Sequence, residues 1–202
     1  MKKRSRQPAK KSRTVKSPTK TTPTKTDGAY PGDHLRVIFT QKQIEKRVHE
    51  LAAQVNHDFQ GKTLHVIGIL ENCFLFMADL VREIKLPVIC HFLKAETKDG
   101  STGKVAVREI VYTPRVDVAG KDVLLVDGIL QSGVTIDHLV RVMQMQQVNS
   151  INVAELIEKT EELKVDVASR YIGFKTQEKF LVGYGLGFQD KYRNLPYVAS
   201  LS

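Results

Sequence analysis

Apolar positions recur along this chain in two periods, and the two periods alternate. After Thr40, Ile44, Val48, Leu51, Ala52, Val55 and Phe59 fall three or four residues apart, the stripe of an amphipathic helix. Thr40 with Gln43 three residues on is a capping-box start, and Gly61 stops the run. Leu64–Leu70 (LHVIGIL) reads as a strand, Phe74–Ile84 as a second helix, and Val88–Leu93, entered through Pro87, as another strand. The polar stretch Lys94–Lys104 (KAETKDGSTGK) has the composition of a mobile loop, and a β-rich segment follows at Val105–Tyr112. Val123–Asp127 (VLLVD) is a continuous apolar strand, the mark of burial on both sheet faces. Helix Thr135–Gln146 and strand Asn152–Ile157 come next, then short strands at Tyr171–Phe174, Phe180–Tyr184 and Tyr197–Leu201.

Strands alternating with helices imply an α/β fold, a mostly parallel sheet flanked by helices, and there is no internal repeat. In such sheets ligands sit at the carboxyl ends of the strands, where loops meet helix N-termini. The loop Asp127–Thr135 is therefore the first place to look.

Charge divides the chain in two. The formal charge is +9, from 31 Lys/Arg against 22 Asp/Glu. Residues 1–26 hold ten of the basic side chains and no acid, so the rest carries a net charge of −1. The tail offers only Met1, Ala9 and Val15 as apolar residues, too few to offset its ordering entropy, and is expected to be disordered. Residues 27–202 are expected to form one domain. No run approaches the ~18 apolar residues of a spanning helix. The N-terminus lacks the apolar segment of a secretory signal and the amphipathic, Arg-rich character of a transit peptide. Cys73 and Cys90 stand singly in apolar strings, as buried thiols of a reducing compartment do, and the six histidines show no paired ligand spacing. A cytoplasmic location is the expectation.

In VLLVDGILQSGVTIDHL (residues 123–139), a buried strand ends in an acid and a short loop leads into a helix. Gly133 allows a ligand close to the backbone, Ser132 and Thr135 supply hydroxyls, and the free N–H groups of the helix favour an anion such as a monophosphate. The same residues also suit an ordinary strand–turn–helix with Ser132 as N-cap.

That stretch resembles the phosphoribosyl-pyrophosphate loop of the type I phosphoribosyltransferases. The run FLVGYGLGFQDKYRNLPYV (180–198) closely resembles the purine-binding segment of hypoxanthine-guanine phosphoribosyltransferases, and FLFMADLVREIKLP within Gly61–Pro87 fits the same family. The resemblance covers residues from about 36 to 202. It implies the type I phosphoribosyltransferase-like fold with a small C-terminal β-rich hood. It further implies Mg2+-assisted transfer of a 6-oxopurine onto phosphoribosyl pyrophosphate, and a homodimer or homotetramer. Ser132, Gly133 and Thr135 would then hold the 5′-phosphate, Lys159 the exocyclic oxygen of the purine, and Arg193 the pyrophosphate. Phe180 would stack on the purine ring, and Leu181 would act through its backbone.

Against that pattern the chain departs at several positions. Asp127-Gly128 keeps one of the two acids that grip the ribose hydroxyls and metal, leaving Asp127 as a weak metal ligand. Gln131 stands at the general-base position, and an amide cannot take up a proton, so base assistance worth ~10²–10⁴ in rate is removed. Gly187 stands where the family has a magnesium-binding Asp. Glu71-Asn72-Cys73 replaces a Lys-Gly-Gly/Ser pyrophosphate loop, and KAETKDG lacks the Ser-Tyr pair of the covering loop.

Two function classes follow. One is a purine-salvage enzyme of weak turnover, with Mg2+ binding doubtful. The other is an inactive purine-nucleotide-binding or regulatory homologue, including an RNA-binding one. The basic tail suits salt-sensitive contact with a polyanion as well as a solubilising arm.

Overall fold

A computed structural model describes residues 34–99, 105–113, 116–167 and 169–201. The tail 1–26, Gly100–Lys104 and the side chains of residues 95–115 lie outside what is described. The order is β1 (Leu35–Phe39), α1 (Gln41–Asp58), β2 (Leu64–Leu70), α2 (Phe74–Glu83), β3 (Val88–Asp99), β4 (Val105–Thr113), β5 (Asp122–Leu130), α3 (Val134–Met145), β6 (Ser150–Lys159), β7 (Tyr171–Thr176), β8 (Leu181–Val182) and β9 (Val198–Leu201).

Six strands form the main sheet in the order β4-β3-β2-β5-β6-β7, parallel except for β4 against β3. Helix α1 starts as its sequence demands: the Gln43 N–H donates to Thr40 Oγ1 and the Thr40 N–H to Gln43 Oε1 at 2.9 Å. Its apolar stripe packs with Phe76, Met77 and Leu80 of α2 on one face of the sheet, over Val66, Leu124 and Val126. Ile136, Leu139 and Met143 of α3 cover the other face over Ile67, Val123 and Leu125. The α/β class and the parallel sheet stand as expected.

A second, antiparallel sheet β1-β9-β8 forms a hood around Leu35, Val182, Leu195 and Ala199. This C-terminal hood also takes in a strand from elsewhere in the chain. Its edge strand β1 comes from the start of the domain and pairs Leu35 with Leu201. The Phe180–Tyr184 strand shrinks to Leu181–Val182, since Gly183 and Tyr184 turn the chain with positive φ. Strand β3 runs on to Asp99, so half of the supposed loop is strand, held by antiparallel pairing with β4. Strand β5 likewise continues past Asp127 to Leu130, paired with β6. Cys73 is buried as expected, but Cys90 is exposed on β3.

Tyr184 fixes the hood over the sheet: it is buried, and its hydroxyl donates to Asp79 on α2. The chain leaves β2 toward β3 on one side and returns at β5 to build outward on the other. The crevice between the carboxyl ends of β2 and β5 is therefore the topological switch point, where α/β sheets bind ligands.

Candidate active site

The loops that follow β2, β5 and β6 meet the hood around a cavity of about 200 Å³. Six positions picked out in the sequence share its wall: Asn72, Gln131, Lys159, Phe180, Leu181 and Gly187. Lys179 also lines it and was missed; its neighbour Phe180 was the only hint in the sequence.

Lys159 closes β6 and is nearly inaccessible, its side chain only 3% exposed. A buried ammonium must be paired, and Nζ donates to Glu162 Oε1 at 2.9 Å and to the Lys179 carbonyl. The Lys159 side chain is thus fixed in place at the cavity wall. Phe180, by contrast, is 61% exposed, an apolar ring with a free face at the rim. Leu181 is tied into the hood opposite Ser200 of β9.

Beyond Gln131 the chain enters α3 through its N-cap, Gly133, which has a φ of 78°. Gly133, not Ser132, holds that position. A Cβ there would lie 2.8 Å from the Val165 carbonyl, so only glycine fits. The Val134 N–H reaches Ser132 Oγ at 3.4 Å, and α3 has no other side-chain cap. The first turn, with the Thr135 hydroxyl beside it, keeps N–H groups for an anion.

Behind the crevice, Asp127 on β5 sits in register with Glu155 on β6. Desolvation pushes the Asp127 carboxyl up to about 7, against the opposing N–H bonds of Gly128 and Ile129. Glu155 is fully buried and is pushed up to about 8, first by desolvation and further by the charges of Asp127 and Glu158. The nearby Ser169 hydroxyl and Lys175 pull it down, yet neither Glu155 oxygen reaches a partner at good hydrogen-bond geometry. Burial pushes the Cys73 thiol up to about 12, which makes it inert at neutral pH.

Arg193 is held by the protein itself. Its Nη1 donates to Asn72 Oδ1 at 2.9 Å and to the Gly185 carbonyl at 2.7 Å, and Nη2 lies 3.1 Å from Glu71 Oε2. Its side chain lies across Gly187, where an added Cβ would stand 2.8 Å from Cζ. Glu71, which follows Leu70 through a cis peptide, also faces Lys94 Nζ at 3.6 Å. The anion gained by this loop is thus neutralised by two cations rather than left to repel.

The profile of the phosphoribosyl transferase domain matches residues 35–189. The chain belongs to the phosphoribosyl transferase domain family. It is 41% identical over 169 residues to a hypoxanthine-guanine phosphoribosyltransferase of Dictyostelium discoideum, covering 82% of this chain and 94% of that protein. The crystal structure of a hypoxanthine-guanine phosphoribosyltransferase from Bacillus anthracis matches with a TM-score of 0.74 and 36% identity, covering 84% of this chain and 99% of that one. A variant of the Trypanosoma cruzi hypoxanthine phosphoribosyltransferase, complexed with the product IMP, matches with a TM-score of 0.76 and 26% identity, over 86% of this chain and 93% of that one.

For a family that generally uses Mg2+, the donor set here is thin. Among the described residues no group of three or more His, Cys, Asp or Glu converges on a metal position. Gly128 and Gly187 bring no carboxylate, and Asp127 Oδ1 accepts the Gly128 N–H at 2.7 Å. A Mg2+ here would have Asp127 alone of the acids expected at these positions, with substrate oxygens and water as its other ligands. Among the described residues, no helix is long and apolar enough to cross a membrane.

Proposed function

We propose that this chain is a hypoxanthine-guanine-type phosphoribosyltransferase of purine salvage, joining a 6-oxopurine to phosphoribosyl pyrophosphate with weak turnover. The observation that carries the purine reading is the shared cavity of Lys159 and Phe180. A fixed ammonium suits the exocyclic oxygen of hypoxanthine or guanine, and an exposed ring at the rim suits the purine face. Ser132, Gly133 and Thr135, at the start of α3, suit the 5′-phosphate. The names of the relatives point to the same substrates.

Weak turnover follows from what the cavity offers the reaction. The Gln131 amide can donate and accept hydrogen bonds but cannot take the purine proton. Asp127 is the only carboxylate left of the pair expected at 127–128, and it has already lost half its charge near pH 7. A second reading, a nucleotide-binding regulatory homologue without turnover, is favoured by the way Glu71 engages Arg193.

The test is nucleotide formation from hypoxanthine or guanine and phosphoribosyl pyrophosphate, beside calorimetric titration of GMP. Turnover is expected at least ~10²-fold below the ~10 s⁻¹ typical of enzymes. Turnover near ~10 s⁻¹ overturns the weak-enzyme reading. Failure to bind GMP overturns the purine assignment.

A further inference from the structure

The ammonium of Lys159 is fixed by two separate segments of the chain. Glu162 closes a turn by donating its N–H to the Lys159 carbonyl at 3.2 Å, and its Oε1 accepts from Lys159 Nζ at 2.9 Å. The second acceptor is the carbonyl of Lys179, the residue before Phe180. Glu162 is held in turn by its neighbours. The Lys164 N–H donates to the Ser132 carbonyl at 3.0 Å, and Glu161 Oε1 accepts from Gln177 Nε2 at 2.6 Å. An exposed ion pair three residues apart would contribute little. Here one partner is almost wholly buried, so Glu162 supplies the counter-charge that its ammonium needs. An ammonium carries three donors, and these bonds use two of them. Lys159 lines the cavity, which leaves the third donor for a ligand.

We propose that Glu162 is a positioning residue: by holding Lys159 it presents one fixed donor to the cavity and makes the site prefer 6-oxopurine over 6-aminopurine nucleotides. This role rests on the purine reading above, which sets the ring against Phe180. An exocyclic oxygen accepts the remaining Lys159 N–H. An exocyclic amine is itself a donor, so two sets of N–H groups face each other and a buried donor goes unpaired. Discrimination of this kind needs a donor that cannot turn away. Without the Glu162 oxygen, Nζ keeps only the Lys179 carbonyl and is free to turn its donors toward the solvent that half-exposed Glu162 otherwise shields. Glu162 does not line the cavity itself, so it acts through Lys159.

The experiment titrates IMP and AMP, whose rings differ only at position 6 and the adjoining N1 proton, into the full chain, Glu162→Ala and Glu162→Gln by calorimetry. Inorganic phosphate is titrated beside them as a ligand that does not reach Lys159. The full chain is expected to prefer IMP. In Glu162→Ala that preference is expected to fall at least about tenfold, the equivalent of one charge-assisted hydrogen bond. Gln keeps an oxygen able to accept from Nζ, so Glu162→Gln is expected to retain most of the preference. Glu162→Ser, too short to reach Nζ, takes the place of Glu162→Ala if the latter does not fold. A merely structural role lowers the affinities for IMP, AMP and phosphate together and leaves the preference unchanged, which overturns the proposal. Equal loss of preference in Glu162→Gln and Glu162→Ala overturns it too, as does a full chain that binds AMP as tightly as IMP. If the full chain binds neither nucleotide, the purine reading falls and this role with it. IMP binding with an unaltered preference in Glu162→Ala removes the role of Glu162 alone.

Discussion

The carbonyl oxygen of Asn72 stands 2.3 Å from the position a Cβ would take on Gly128. The loop after β2 therefore rests on the backbone of β5, with no room for any side chain between them. The same carbonyl is 2.6 Å from a Cβ position on Gly185, so one peptide is packed against two glycines. The backbone at Asn72 and at Gly128, two positions expected to depart from the family pattern, is thus packed together.

That contact predicts the outcome of the smallest possible change. Gly128→Ala is expected to lower stability by about 1–3 kcal/mol, the usual cost of overpacking a tight site. For a domain of this size that is roughly 2–4 °C in Tm for each kcal/mol. Scanning calorimetry checks it. An unchanged Tm means that the Asn72 loop yields freely and the two positions are not coupled.

Phe180 separates ligand binding from stability. At 61% exposure its ring contributes little to the core, so Phe180→Ala should leave Tm nearly unchanged. Loss of base stacking should cost about 1–3 kcal/mol of GMP affinity, a drop of roughly five- to 150-fold. Titration of GMP into both proteins decides it, and equal affinity removes Phe180 from the purine site.

Glu155 makes stability depend on pH. Its carboxyl is held at about 8 in the fold against 4.5 as the ordinary value, so the folded chain keeps a proton that the unfolded chain loses. The stability associated with that proton is fully present below about 4.5 and is lost as pH rises toward 8. Asp127, raised from 3.8 to about 7, acts in the same direction. Glu155→Gln cannot ionise. It should therefore stabilise the fold relative to the unmodified chain more at pH 8 than at pH 5, by an amount on the order of a few kcal/mol, read as a larger rise in Tm at pH 8. A Tm difference independent of pH shows that Glu155 ionises in the fold without cost.

Local signals in the sequence carried much of this structure, and distant ones did not. Thr40 and Gln43 announce α1 because a cap is made within four residues, and both partners are visible together. Strand β1 goes unnoticed because its five residues are a strand only by virtue of Leu201 and its neighbours at the far end of the chain. Lys159 and Phe180 were placed in the site by resemblance alone: a single Lys after a strand reads as a solvated charge, and its burial depends on Glu162 and Lys179 closing over it. Nothing local to Glu155 signals that this mid-strand acid is fully buried. The pairing of Glu71 with Arg193 spans most of the chain, and nothing at either position foretells it.

The geometry also sets the order in which catalytic groups could be restored. Gln131→Asp puts a proton acceptor at the cavity wall, yet alone it should raise nucleotide formation less than about tenfold, short of the ~10²–10⁴ a positioned base contributes. The reason is that Glu71 still neutralises Arg193 and Lys94, and neither Gly128 nor Gly187 offers a carboxylate. Gly187→Asp meets only side-chain atoms, those of Arg193, but it must shift a guanidinium that Asn72, Gly185 and Glu71 hold. Gly128→Asp is worse placed, because the Asn72 carbonyl is backbone. It should be tolerated only together with Asn72→Gly, which frees that loop to take another path. The chain carrying Glu71→Lys, Asn72→Gly, Gly128→Asp, Gln131→Asp and Gly187→Asp should therefore exceed the product of the single gains, since groups serving one transition state act as a unit. Steady-state assays across the series check this. If Gln131→Asp alone recovers ~10²-fold or more, the missing base accounts for the deficit and the changes around Arg193 carry no catalytic weight.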